Sequence, residues 1–548
     1  MTTKRLAWIV GLGLWLGNAV FAQQVAAVPQ GPPPEADPSA IEDHPPEGQI
    51  VVRGPVLRGF AWDRDAPGAK VSVRVTITTR SGESVATIEA VADQQGAYSR
   101  ETAGGGHDFV IRLYQELANV DRARLRDVSL RLEMANVTPD GAPGAWVGGE
   151  TVTGNIEGWL RAAPDTAPLT RKLLLIELDP VCETRGGVRL SELYRAKGRR
   201  AGEPTQMARG LVEILKQESG GIMQYQLLPT EYDPKEWPIM RTKILDGKPK
   251  WLGTGEGSTG HEAQASQQGS AATTDPYVYS EQYCVPDIEA NREPRWVNAD
   301  TAHGVSADYA KFCQKHHLEE RHQAGEFDEV WIYGYWACGF WEATMGGGAR
   351  PFPTNSQPMG DPDTSATPFH SDRGCVIMGY SWERGYGFAL ESLGHRMEGT
   401  LNWVFGAYNR APYSPGDSRP DPLPAFAPPG ANNPWAQFGA TDLTAPDQAG
   451  VGDMHYAPQS LNDYKWEETR FVASGADDWL LWPNLRHEQS VINSREYLDQ
   501  YLGAEPIEAH HRWWFNHLPR AAGSTDGRLN NWWRYFAYPD LVMESPAR

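Results

Sequence analysis

The stretch "ALESLGHRMEGTL" places Glu391, His395 and Glu398 at positions i, i+4 and i+7. On a helix turning about 100° per residue, these side chains fall within about 60° of one another. Imidazole nitrogen and carboxylate oxygen are both zinc donors, so the face suits a divalent cation. The same spacing also describes an ordinary solvated helix, because Leu390, Leu393, Met397, Leu401 and Val404 form an apolar stripe almost opposite. On that reading Glu391 makes only an ion pair along the helix, with His395 or Arg384. Aromatic neighbours and a long upstream loop favour a cleft over bulk water.

A third donor can come from elsewhere in the chain. His455 in "GDMHYAP" sits in a loop bounded by Gly and Pro, where functional side chains concentrate. The candidate metal ligands are therefore His395, Glu398, Glu391 and His455. His510, His511 and His517 in "AHHRWWFNHLP" are rivals, though histidines beside Trp more often pack in a core. His316 and His317 read as an exposed helix face, and His107 as a turn or edge residue. Glu342 in "FWEATMGGG" precedes three glycines that let a ligand approach the backbone. With Glu391 it is the candidate catalytic acid or base, or else a structural acceptor. Glu383 suits a helix N-terminus. No Gly-x-Ser-x-Gly elbow, phosphate loop or dinucleotide fingerprint occurs in a fitting context.

The elements that must position these residues begin after a Pro-rich, acidic linker at 23–48. Runs such as "KVSVRVTITT", "HDFVIRL" and "VSLRLEMANV" alternate with turn residues and predict an all-β sandwich over 49–160. A Pro- and Ala-rich join at 161–170 makes this an accessory domain whose removal is expected to leave the rest intact. An α/β core follows over 170–410: strand "KLLLIELDP", helix "EPTQMARGLVEILKQESGG", strand "IMQYQLLPTEYDP". A Gly/Ser/Gln-rich insertion occupies 253–276, and a helix is expected near 305–323. Strands "FDEVWIYGY" and "CVIMGY" then lead to a helix over 383–405 that carries the opening stretch. The strand ending at "YGY" is expected to be an edge that forms one wall of the cleft. Past a Pro-rich span at 411–434, residues 435–540 form a Trp-rich C-terminal part of the core.

Lys4 and Arg5 lead an apolar run that ends in small residues, a signal peptide cleaved after Ala22. This implies a secreted or periplasmic protein with no integral membrane segment after cleavage. The 548 residues carry a formal charge of −20, or −22 once Lys4 and Arg5 leave with the signal, and no basic cluster to meet phosphates. Nucleic acid is thereby excluded as a partner. Five cysteines without CxxC spacing suggest up to two disulfides, with Cys338–Cys375 the preferred pair. The 21 tryptophans fill cores or form flat surfaces for sugars.

The order of elements, and "ESLGH" where zincin metallopeptidases often read "HELGH", resemble the upper half of that family. The resemblance implies an edge strand before a zinc-binding helix. Glu391 stands where the family has its first histidine, and Ser392 where it has its general base. A serine does not do that base's work, so the usual mechanism is not carried over. Residues 170–540 also look like a family of uncharacterised secreted bacterial proteins, through "DEVWIYGYWACGFWEATMGGG", "VIMGYSWERGYG", "GHRMEGTL", "GDMHYAP", "ADDWLLWPNL" and "LNNWWRYF". "GFAWDRD" and "GGGHDFVIRL" resemble immunoglobulin-like modules of secreted bacterial enzymes.

The leading expectation is an exported, zinc- or other divalent-metal-dependent hydrolase, peptidase-like, acting on extracellular protein. The alternatives are a polysaccharide-active hydrolase using two carboxylates such as Glu342 and Glu391, or a non-catalytic glycan- or protein-binding protein on a decayed zincin scaffold.

Overall fold

The computed structural model describes residues 44–94, 98, 106–138, 142–160, 164–233, 309–335, 338, 340, 342–348, 369–405 and 433–544, with short pieces between 239 and 307. The expected signal peptide, the linker up to residue 43, the 253–276 insertion and the Pro-rich span up to residue 432 lie outside the described residues.

Strands β1 (Glu47–Val52), β2 (Val56–Trp62), β3 (Val71–Thr79), β4 (Ser84–Ala92), β5 (Asp108–Arg112), β6 (Val128–Val137) and β7 (Pro143–Gly154) make two antiparallel sheets, ordered β1-β2-β5 and β4-β3-β6-β7. β1 thus begins inside the stretch expected to be linker. β3 shows the physical cause of the fold: Val71, Val73, Val75 and Ile77 alternate inward, as a pleated strand with one buried face requires. They share one apolar cluster with Ile50, Leu57, Phe109, Ile111, Leu130 and Leu132.

A second apolar cluster surrounds a mixed sheet. It comprises β8 (Leu169–Leu178), β9 (Met223–Leu227), β10 (Glu231–Asp233), β11 (Glu329–Gly334), β12 (Ala343–Gly346) and β13 (Cys375–Ser381). The order is β9-β8-β11-β13-β12, with β10 also beside β8; β12 alone runs antiparallel. β11 is buried at all six positions, because helices cover the sheet, and its one charged residue, Glu329, is matched there by Arg396. The helices that matter most are α1 (Pro204–Glu218), α2 (Tyr386–Phe405) and α3 (Pro506–His517). Trp435, Trp514, Trp532 and Trp533 of the C-terminal region belong to the same apolar cluster. The chain is multidomain in its mixture of β-sheets and helices, with two separate hydrophobic cores.

Several expectations change. The strand ending at "YGY" is β11, which lies between β8 and β13 rather than at the edge. The edge is β12, four residues too short and Gly-rich to announce themselves by alternation. The helix expected near 305–323 is a strand Val305–Ala307 followed by helices Tyr309–Lys315 and Leu318–Gln323, broken where His317 takes a left-handed φ of 51°. Cys338 and Cys375 are both free and buried. Cys375 pairs at the start of β13 whereas Cys338 lies past the end of β11, so about 20 Å of parallel strand separates them.

The sandwich is also less separable than its own periodicity suggests. Arg58 of β2 is 2% exposed and donates to Asp477 at 2.8 Å and to Glu496 at 3.0 Å, both in the C-terminal region. Removing the sandwich would leave two carboxylates at that junction without their cation. No helix among the described residues is long and apolar enough to cross a membrane.

Candidate metal centre

β13 runs directly into α2, which is buried around almost its whole circumference. Glu391, His395 and Glu398 are 3%, 8% and 2% exposed, which overturns the solvated-face alternative. Two elements cover them: the loop carrying Met454 and His455, and α3, which packs on α2. Close approach of the loop depends on glycine. A Cβ at Gly394 would lie 1.7 Å from Met454 Sδ, and Gly452, at φ +82°, meets the Tyr456 carbonyl where its Cβ would be, at 2.4 Å. Asp453 then fixes the turn by accepting from the backbone N–H of His455 and of Tyr456, each at 2.8 Å.

The result is convergence. His395 Nε2 and His455 Nε2 are 3.1 Å apart, and Glu391 Oε1 lies 3.3 Å from His455 Nε2 and 3.8 Å from His395 Nε2. These three residues could hold a metal ion. Tetrahedral ligands at zinc bond lengths of roughly 2.0–2.1 Å stand about 3.4 Å apart, which is the spacing found here. The opposite ring nitrogens face carboxylates: His395 Nδ1 is 2.8 Å from Glu398 Oε2, and His455 Nδ1 is 3.3 Å from Asp463 Oδ1. Such an outer carboxylate fixes the tautomer and aims Nε2 at a cation. Glu398, expected as a ligand, therefore stands behind His395, and its other oxygen accepts from Met454 N–H at 3.1 Å.

Charge shapes every group here. Burial alone would raise the Glu391 pKa, but hydrogen bonds from His395 and His455 hold it well below the carboxylate range. Burial opposes protonation of His395, yet Glu342, Glu391 and Glu398 push its pKa well above the usual imidazole value. His455 is raised too, by Glu391 against burial. Asp453, buried and near Glu398, is pushed up to about 7. The carboxylates thus favour positive charge at the two imidazoles, carried by a proton on each ring or by a metal ion between them.

Sequence reasoning missed Tyr464, Asp463 and Asp453. Tyr464 donates to Glu391 Oε1 at 2.7 Å and touches His455 Nε2 at 3.1 Å, while 41% of the residue is exposed at the mouth of the site. Burial and Glu391 raise its pKa, so the phenol keeps its proton. Its only sequence signal is its place nine residues after His455, in a loop with no periodicity. Glu342 is half-buried just before β12, and its charge acts on both His395 and Tyr464. Ser392 turns its hydroxyl back to the Phe388 carbonyl at 3.2 Å and faces no substrate.

The rival histidines lie elsewhere. His517 bonds to the Trp513 carbonyl, His510 packs among Trp466, Tyr497 and Trp513, and His511 turns both nitrogens to backbone carbonyls. His316 is half-buried on Phe312, His317 is exposed, and His107 is buried just before β5, an edge strand of its sheet. The C-terminal tryptophans Trp435, Trp466, Trp479, Trp482, Trp513, Trp514, Trp532 and Trp533 are all buried, so they offer sugars no platform.

No family model matches the chain, and no curated protein matches it. Among solved structures, a glycosyl hydrolase family 2 member from Bacteroides cellulosilyticus aligns at 13% identity over 34% of this chain and 22% of its own, with a TM-score of 0.12. A calcium-binding mutant of Bacteroides uniformis beta-glucuronidase 2 aligns at 11% identity over 34% and 23%, also with a TM-score of 0.12. The chain thus spans less than a quarter of either neighbour's length.

Proposed function

We propose that this chain is an exported metal-dependent hydrolase acting on peptide bonds, with zinc or another divalent cation held by Glu391, His395 and His455. The observation that carries this reading is the convergence of their three donor atoms at ligand spacing, each imidazole backed by a carboxylate. A bound cation would supply Lewis acidity toward a carbonyl oxygen and lower the pKa of a water to about 7.

The chain's own groups divide the remaining work. Glu391 stays ionised and offsets the cation's charge. Tyr464 keeps its proton and, at the mouth, donates to negative charge developing on the substrate oxygen. Glu342, whose charge acts on His395 and Tyr464, is assigned the general base's part, since Ser392 is turned away. Among the described residues β12 pairs on one side only, with β13, and it packs against α2. A strand paired on one side is the kind of element that holds an extended peptide by backbone hydrogen bonds, which favours protein over polysaccharide as substrate.

The likeness to zincins is supported by an antiparallel edge strand that precedes the strand and helix of the site. The two antiparallel sheets of residues 47–154 suit an immunoglobulin-like accessory module. Export rests on residues 1–22 alone.

Metal analysis of the purified chain, with hydrolysis of an unfolded protein substrate, tests the proposal. The native chain should bind about one zinc, cobalt or manganese ion and cleave. His395→Ala should do neither, yet still melt cooperatively. A native chain that binds none of these ions, or a His395→Ala variant that cleaves at the native rate, ends the reading.

A further inference from the structure

His511 of α3 is fully buried, and both its ring nitrogens face backbone oxygens: Nδ1 lies 3.0 Å from the Gly387 carbonyl and Nε2 2.9 Å from the Met454 carbonyl. Gly387 stands one turn before Glu391 on α2, and Met454 immediately precedes His455. A carbonyl can only accept, so both contacts are hydrogen bonds only when both nitrogens carry protons. A neutral ring would press a lone pair against an oxygen at one of these two lengths, in a buried site where an unmade bond is costly.

We infer that His511 is a positioning residue, a doubly donating imidazolium that clamps the α2 turn bearing Glu391 to the loop bearing His455 and so sets the distance between two metal ligands. The inference rests on the metal reading of Glu391, His395 and His455.

Neighbouring contacts agree with a clamp. Trp514, one turn further along α3, donates to the Gly452 carbonyl at 2.9 Å, and Trp466 donates to the Met454 carbonyl at 3.3 Å. The loop is therefore gripped at two carbonyls, and of these three side chains His511 is the one with a hydrogen bond to α2 as well. Burial and the nearby His395 lower the His511 pKa overall, against the pull of the Glu391 carboxylate and both carbonyls, so the second proton is required by the two buried N···O contacts alone. In return, the charge of His511 helps hold Glu391 ionised.

The test uses His511→Phe, which keeps a ring and removes both donors, and His511→Gln, which restores a donor. Cobalt affinity is measured by chelator competition, and the cobalt absorption spectrum reports the ligand geometry. His511→Phe is expected to lose affinity by about 10- to 100-fold with an altered spectrum, as loss of an outer partner does at metal sites, and His511→Gln to recover part of it. A cooperatively melting His511→Phe with affinity within about twofold of native and an unchanged spectrum overturns the clamp. Should His511→Phe fail to fold, the native chain decides through side-chain 15N resonances of labelled histidine, assigned against His511→Gln. Two protonated ring nitrogens support the inference, and one bare nitrogen overturns it. A native chain that binds no cobalt sinks the metal reading, and the 15N result still decides the bridge.

Discussion

Two polar clusters lie on α2, one residue apart, and they are built on opposite logic. Arg396 and Glu329 are 1% and 0% exposed. Arg396 grips both oxygens of Glu329, at 2.6 and 3.1 Å, while Trp331 and Tyr225 donate to the same carboxylate. The guanidinium also donates to the Phe536 carbonyl at 2.7 Å and stacks over the Phe536 ring. Donors there meet acceptors until little capacity remains. Around His395 the inward-facing atoms are two imidazole nitrogens and a carboxylate oxygen, and all three can offer lone pairs to one point. A closed cluster can only stabilise the fold. An open one has donor atoms that could hold a metal ion.

The largest expected effect tests the closed cluster. Arg396→Met should cost about 3–5 kcal/mol in denaturant unfolding, because it leaves Glu329 buried and charged without its cation. Adding Glu329→Gln should restore much of that loss. A cost under about 1 kcal/mol for Arg396→Met would erase the contrast between the clusters.

Next in size is the response of the open cluster. Zinc at about 100 times its dissociation constant should stabilise the native chain by about 2.7 kcal/mol. His455→Ala should abolish that gain while costing the metal-free protein about 1 kcal/mol or less, since the His455 side chain is 30% exposed. Melts with and without zinc measure both. A zinc response that survives His455→Ala would remove that residue from the centre.

The smallest effect concerns a carboxylate of neither kind. Glu177 on β8 is half-buried, and burial, with Asp179 and Glu203 nearby, pushes its pKa up to about 7. The fold thus keeps a proton that the unfolded chain releases near 4.5, so this group weakens the fold as pH rises from about 4.5 to about 7. Glu177→Gln should therefore stabilise at pH 8, by about 1 kcal/mol after allowance for solvent screening, and change little at pH 4. Equal effects at both pH values would mean that folding leaves the Glu177 pKa unshifted.

Much of the architecture was legible because burial imposes period. The alternation of 71–79 marked β3, the apolar run at 173–176 marked a doubly covered strand, and the helical spacing of Met207, Leu211, Ile214 and Leu215 marked α1. β12 was not legible, since four residues with a glycine carry no period. In the site, Glu391 and His395 were visible through helical spacing, and His455 through its loop setting. Tyr464 and Asp463 carried neither signal. Glu398 satisfied the same spacing as Glu391 and His395, and only the direction of the His395 ring shows that it backs the imidazole.

Sequence by itself determined which segments bury which faces, and it put two donors on one helix, because a helix's turn per residue is fixed by backbone geometry. It also set the acidic balance and the apolar N-terminal run. Tertiary structure alone decided that the polar side of α2 is covered, that His455 arrives 3.1 Å from His395 across 60 residues of chain, and that Arg396 and Glu329 close on each other across 67. These are long-range contacts, set by how a loop and a sheet pack against a helix, and no local spacing records them. The same limit explains His511: its neighbours in sequence are aromatic core residues, and its role lies in two carbonyls more than fifty residues away.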